Sequence, residues 1–408
     1  MKRISPILIL VLVSACSGRG DPETSSQAWR VNTTSGTVTA EVTKNVVSWR
    51  DIPYAQPPVG ALRWRAPRPV ESPLGELSVR DNVACLQVAW DGGGIPGDGV
   101  VGAEDCLYLD ITAPVGASAV EPLPVMFWIH GGGNTSGFKG YYDFSTLVES
   151  QQVIVVAINY RLGPFGWFSH PVVQKQAEGL DRSSNFGTLD IIQALSWVQQ
   201  NISEFGGDAK NVTLFGESAG GHNVFALLAS PLSEGLFQKA ISQSGYLKTN
   251  TVEEAINADD DYPRIRRSSS QLFASMVDAG VLADVSTKSA YDVAGNTLME
   301  YYLELNDQGD VPLTTADGIV ISKEGMLAAL ADSKNAKDVP VIAGANRDEV
   351  TLWMSRHRYF VNADYMLTRW LPPRISLRDP DLYAFWARIR SEAWKLRGVD
   401  EPLIAMEA

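Results

Sequence analysis

The sequence predicts an α/β fold whose mostly parallel central sheet carries helices on both faces. Three observations lead there. The runs Val125–Ile129 and Val153–Ile158 are apolar at every position, as strands buried on both sides must be. Beyond them Leu189, Ile192, Leu195, Val198 and Ile202 recur at helical spacing, a stripe that would pack against the sheet while Gln193, Gln199 and Gln200 face outward. Then Val212, Leu214 and Phe215 lead into Gly216-Glu217-Ser218-Ala219-Gly220, and Val224, Phe225, Leu227 and Leu228 continue as a helix. Strands alternating with helices in this way build a parallel sheet.

The chain has 408 residues and a formal net charge of -13. That length can bury one large mixed core, and one domain with insertions is expected. The acidic balance argues against nucleic acid or an anionic membrane surface as a partner, because both need clustered Lys and Arg and no basic stripe is present. A well-solvated surface is its simplest meaning.

Taken in order, the chain opens with Lys2 and Arg3, an apolar run from Ile7 to Val13, and Ser14-Ala15-Cys16. This reads as a secretion signal over residues 1–15, since the run falls short of the roughly 20 apolar residues that span a bilayer. Val13-Ser14-Ala15-Cys16 is similar to the lipobox of bacterial lipoproteins, which implies a lipidated Cys16 at the mature N-terminus; a plain cleaved signal with an incidental cysteine is the alternative. Residues 16–27 would be a flexible tether and 28–408 the folded domain. Export would place Cys85 and Cys106 where disulfides are permitted. They bracket a glycine-rich loop, Gly92 to Gly97, whose closure would contribute about 3 kcal/mol, and both a bridge and two free thiols stay open at this point.

Val38–Val42 alternates well enough for an edge strand paired with Arg30–Asn32, and the prolines of Ile52–Gly60 make an extended segment. The strand Val125–Ile129 ends directly in His130-Gly131-Gly132-Gly133, where glycine lets main-chain N–H groups approach a developing negative charge. Ser218 sits on the turn between strand and helix, a position that strains its backbone and exposes its Oγ, and side chains at 216 and 220 would collide there. A bare Gly-x-Ser-x-Gly also occurs in ordinary glycine-rich turns. After Gly245 the pattern loosens into a solvated acidic and basic stretch, Asp259 to Arg267, followed by helices over Ser269–Ala279 and Ser289–Leu305 that would cover the site. A last strand, Val339–Gly344, leads to Asp348 and Glu349. No metal-ligand cluster is visible, and no cofactor or metal is expected.

Position by position, Phe205 to Gly220 resembles the serine signature of type-B carboxylesterases, the family of cholinesterases and bacterial para-nitrobenzyl esterases, and Glu104-Asp105-Cys106-Leu107-Tyr108-Leu109-Asp110-Ile111 resembles a second signature of that family. Ile52–Gly60 with Leu62-Arg63-Trp64, Asn159–Gly163 and Ala345–Glu349 look alike too. The resemblance implies an α/β-hydrolase fold and a serine carboxylic-ester hydrolase acting on a small-molecule ester. It implies Ser218 as nucleophile, N–H donors at Gly132, Gly133 and Ala219, Glu349 as the acid that orients an imidazole, with Asp348 as local rival, and a Cys85–Cys106 bridge. Asn134 stands where an aromatic often follows the glycines, and Val350 where glycine is usual. The histidine departs further. His130, His170, His222 and His357 are all out of place, for in type-B esterases the catalytic histidine lies on a loop far downstream of the acid. The resemblance still runs through Phe385-Trp386-Ala387-Arg388, so a fold incomplete at the C-terminus, with weak or no turnover, is expected. A non-catalytic surface binding protein on the same fold is the alternative, although such members usually lose the nucleophile.

Overall fold

A computed structural model describes residues 29–349, apart from 44, 81–82, 90–93, 176, 258–267, 305–311, 333 and 335–336, together with 361–364, 374–377, 380, 381, 384 and 388. The expectations for the signal, Cys16, the tether, the charged stretch 259–267, His357 and Phe385–Arg388 lie outside the described residues.

Eight strands form the central sheet: β1 (Glu41–Thr43), β2 (Val46–Pro53), β3 (Tyr108–Pro114), β4 (Leu123–Ile129), β5 (Ile154–Ile158), β6 (Gly207–Glu217), β7 (Lys239–Gln243) and β8 (Val341–Gly344). Their spatial order is β8-β7-β6-β4-β5-β3-β2-β1. The five strands from β8 to β5 run parallel, and the β5–β3, β3–β2 and β2–β1 pairs are antiparallel. The sequence places the antiparallel partner slightly wrong. Val38–Val42 is broken at Ala40, whose N–H donates to Trp29 O, so Arg30–Asn32 pairs with Thr37–Thr39 in a separate small sheet while β1 joins the large one.

The period-2 alternation of the strands divides their apolar side chains between two layers. Val125, Phe127 and Ile129 of β4, Ile154, Val156 and Ile158 of β5, and Val212 and Leu214 of β6 face the main core, which they share with helices α2 (Phe186–Asn201) and α3 (Ala219–Ala229). Trp128, Val155, Ala157 and Phe215 point the other way, toward Val148 of α1 (Ser145–Gln151). That is why these strands read as apolar throughout.

Helix α2 is buried nearly all round, more than a single stripe demands. Gln193 and Gln199 are only half exposed because they satisfy backbone carbonyls, Gln193 that of Tyr54 and Gln199 those of Ala209 and Leu236; Gln200 alone of the three faces solvent. The expected helix Ser289–Leu305 is two helices, Thr287–Asp292 and Gly295–Glu304, whereas Ser269–Asp278 is continuous. Cys85 and Cys106 are joined by a disulfide, S–S 2.07 Å, across a separation of 21 residues.

Candidate active site

Ser218 stands between β6 and α3 with φ 57° and ψ −118°, a conformation that an L-residue adopts only when its surroundings impose it. The surroundings are glycine. A Cβ on Gly216 would meet the backbone carbon and oxygen of Gly220 at 2.6 Å, and one on Gly220 would run into Ile129 O at the end of β4. The Ser218 N–H donates to Gln243 O (2.8 Å), which stitches the turn to the end of β7. The serine thus lies at the carboxyl ends of the parallel strands, where open α/β sheets place their sites.

Beside it runs the glycine loop after β4. A Cβ on Gly131 would sit 3.3 Å from Ser218 Cβ and 2.7 Å from Glu217 O, so loop and turn are in contact. In a trans peptide the C=O and the following N–H point opposite ways, so fixing the oxygen fixes the direction of the hydrogen. Gly131 O accepts from His130 Nδ1 (2.8 Å), which orients the Gly132 N–H. Gly132 O accepts from the N–H groups of Thr135 and Ser136 and from both their hydroxyls, which orients the Gly133 N–H. Ser218 O accepts from His222 N (2.9 Å), the first helical bond of α3, leaving the Ala219 N–H at the helix N-terminus. None of these three N–H groups donates to another group among the described residues. Gly132 and Gly133 hold φ 95° and 63°, the left-handed region that favours glycine.

At the end of β8, Glu349 turns inward. Its Oε2 accepts from Ser244 Oγ (3.0 Å) and from Asn346 N (2.6 Å). Asp348 points outward, its side chain 61% exposed beside Arg347. Glu217 is half-buried, and its carboxyl is held above the ordinary glutamate value, first by burial and then by the charge of Glu349.

The three described histidines are engaged elsewhere. His130 is buried and stacked on Tyr160 (4.3 Å). His222 donates from Nδ1 to Tyr246 O (2.8 Å), accepts at Nε2 from Thr314 Oγ1 (2.6 Å), and stacks on Tyr246. Burial lowers both to about 4, so both are neutral at pH 7. His170 accepts from Val172 N as the cap of a short helix. None of the three is hydrogen-bonded to Ser218 Oγ. The structure brings Ser218, Glu349 and the glycines singled out in the sequence to one end of the sheet, together with Ser244, whose hydroxyl donates to Glu349, and Asn223, which meets Asn134, neither of which was singled out there. Ser244 at a strand end just before Gly245 was the one visible signal.

A strained serine turn between a parallel strand and its helix, with a glycine loop beside it and an inward carboxylate two strands away, defines the α/β-hydrolase class. Residues 27–365 match the carboxylesterase family, and the chain belongs to that family. The para-nitrobenzyl esterase of Bacillus subtilis is 38% identical over 335 residues, covering 80% of this chain and 64% of that protein. Carboxylesterase 1E of Mus musculus is 34% identical over 377 residues, covering 85% and 63%. A solved para-nitrobenzyl esterase superposes with a TM-score of 0.67 at 33% identity, covering 82% of this chain and 66% of that one, and a Geobacillus stearothermophilus carboxylesterase with 0.73 at 26%, covering 93% and 77%. The chain thus spans just under two thirds of the length of the curated relatives it matches.

Proposed function

We propose that the chain is the serine-bearing portion of a carboxylic-ester hydrolase acting on small-molecule esters through an acyl-enzyme on Ser218. The observation that carries this reading is the strained Ser218 turn held against a glycine loop whose Gly131 and Gly132 oxygens are both occupied. Ser218 Oγ attacks the acyl carbonyl as its proton passes to a base, the ester C–O bond of the tetrahedral intermediate then breaks and the alcohol leaves with that proton; water adds to the acyl-enzyme in the same way, breaking the bond to Ser218 Oγ and releasing the acid. The N–H groups of Gly132, Gly133 and Ala219 take the negative charge that develops on the carbonyl oxygen, where preorganised donors act most strongly. Glu349, inward and hydrogen-bonded, fits the orienting acid better than exposed Asp348. Its imidazole partner is none of His130, His170 and His222, and His357 is the remaining histidine of the sequence.

Hydrolysis of para-nitrophenyl acetate, with Ser218→Ala as the blank, tests the reading. Ser218-dependent release is expected, and where His357→Ala abolishes it, Glu349→Gln should lower kcat by about 10⁴-fold, as loss of the orienting carboxylate does in the protease precedent. His357→Ala reports whether that imidazole is the base: a chain already lacking a competent base keeps only the roughly 10³–10⁴-fold over water that donors and binding supply, and does not change. Activity equal in parent and Ser218→Ala would leave the non-catalytic binding protein as the better account.

The Ser14-Ala15-Cys16 pattern supports export with a lipid on Cys16, a membrane attachment through that anchor at the bacterial cell envelope, and the Cys85–Cys106 bond is in keeping with an oxidising compartment. Labelling with an alkyne palmitate that persists in Cys16→Ala would refute it.

A further inference from the structure

Asn134 follows the glycines in the left-handed region, φ 56°, and is fully buried. Glycine satisfies that conformation without a side chain, so the backbone alone does not call for asparagine. The side chain is spent on two partners. Its Nδ2 donates to Pro312 O (3.0 Å) and its Oδ1 accepts from Asn223 Nδ2 (3.0 Å), while its main-chain oxygen accepts from Gly163 N (2.7 Å). Asn223 is fully buried on α3, five positions after Ser218. Among the described residues, this is the one side-chain hydrogen bond joining the loop 130–137 to α3.

That placement matters because the three N–H donors come from two separate elements. Gly132 and Gly133 belong to the loop and Ala219 to the helix, and catalysis by such donors is lost when their spacing drifts, a misplacement of about 1 Å costing as much as 10²-fold. Glycine gives the loop close approach and also the freedom to drift. We infer that Asn134 and Asn223 are positioning residues, a buried amide pair that locks the glycine loop to the nucleophile helix and holds the Gly132 and Gly133 N–H groups in register with that of Ala219. This rests on the esterase reading for its catalytic consequence, whereas the mechanical link stands apart from it.

The test compares the full chain with Asn134→Gly, Asn223→Ala and the double variant, with Asn223→Ser, too short to reach Asn134, replacing Asn223→Ala should the latter not fold. Asn134→Gly keeps the backbone conformation available and removes only the amide. Hydrogen exchange of amides 132–136 should be faster in each single variant, and no faster in the double. On para-nitrophenyl acetate, kcat should fall by about 10- to 100-fold with KM held, by a similar factor in each single and without further loss in the double. The labelling rate of Ser218 by a fluorophosphonate should fall in parallel. Unchanged exchange in folded single variants, or single effects that add in the double, would overturn the inference, as would a lower melting temperature with kcat intact. Should the parent itself fail to hydrolyse ester or label at Ser218, the esterase reading falls while the exchange data still decide the lock.

Discussion

At Ser218 the chemistry depends on what its neighbours lack. The turn closes only because positions 216 and 220 carry no Cβ, and the atoms that a methyl at 216 would strike are backbone, which cannot rotate aside. Gly216→Ala should therefore cost more than the roughly 1–3 kcal/mol of ordinary overpacking and abolish Ser218 reactivity, whereas Gly344→Ala, with nothing within 4 Å, should leave both melting temperature and reactivity near the parent. Thermal melts and fluorophosphonate labelling of the two variants check this. Glu217 offers a second reading at the same scale. Its folded value lies above the ordinary 4.5, so the folded state binds its proton more readily than the unfolded chain does, and stability contributed by that proton is present in acid and lost as pH rises through the raised value. Glu217→Gln should melt higher than the parent near pH 7, with the difference closing in acid. A difference that grew toward low pH would contradict the assignment.

Between elements, buried ion pairs fix the segments that carry the site. Arg161, just after β5, grips Asp190 of α2 with Nε (2.8 Å) and Nη2 (2.6 Å), the carboxylate being wholly buried. Arg63 clasps Glu104 in the same two-pronged way, and Lys139 bridges Asp51 and Asp110. Removing one partner leaves an uncompensated charge, which costs about 3–5 kcal/mol, while replacing both with apolar residues restores most of it. Arg161→Met should thus be strongly destabilised and Arg161→Met with Asp190→Leu much less so, as denaturant melts would report. These pairs also mark how far the sequence could be read. Doubly apolar strands, the helical stripe and the glycine-flanked serine announce themselves through period and side-chain size, so the parallel half of the sheet and the strained serine turn were legible. Arg63, Glu104, Arg161 and Asp110 lay inside stretches recognisable only by resemblance, because pairing between residues far apart in the chain leaves no local signal. The break at Ala40 went unread because alternation continues through it: the bond from its N–H to Trp29 O is the last of the small hairpin, and from Glu41 on the chain pairs with β2. Asn134 was visible as a departure, but its partner Asn223 lies 89 positions away.

For the whole molecule, the same burial that makes the core predicts an acid response. His130 and His222 are fully enclosed, faced by Tyr160 and the Gly131 carbonyl in one case and by Tyr246 and Thr314 in the other, with no carboxylate among these contacts to favour the charged ring. Burial lowers each from 6.5 to about 4. Between those values the unfolded chain binds a proton that the folded chain refuses, so the stability attached to each neutral ring is fully present above 6.5 and is lost as pH falls toward 4. At about 1.4 kcal/mol per pH unit, each ring accounts for about 3 kcal/mol across the window, against a total stability of order 5–15 kcal/mol. Glu217, Asp110 and Asp190 work in the opposite sense, since burial raises all three, so each opposes the histidine effect. The two histidines should therefore lower the melting temperature between about pH 6.5 and pH 5. His222→Gln, whose amide can still donate to Tyr246 O and accept from Thr314 Oγ1 without taking up a proton, should flatten that drop by about half while lowering stability at pH 7 only slightly. Differential scanning calorimetry of parent and variant from pH 4 to 8 measures both slopes, and equal slopes would show that His222 is not one of the groups that set the acid limit.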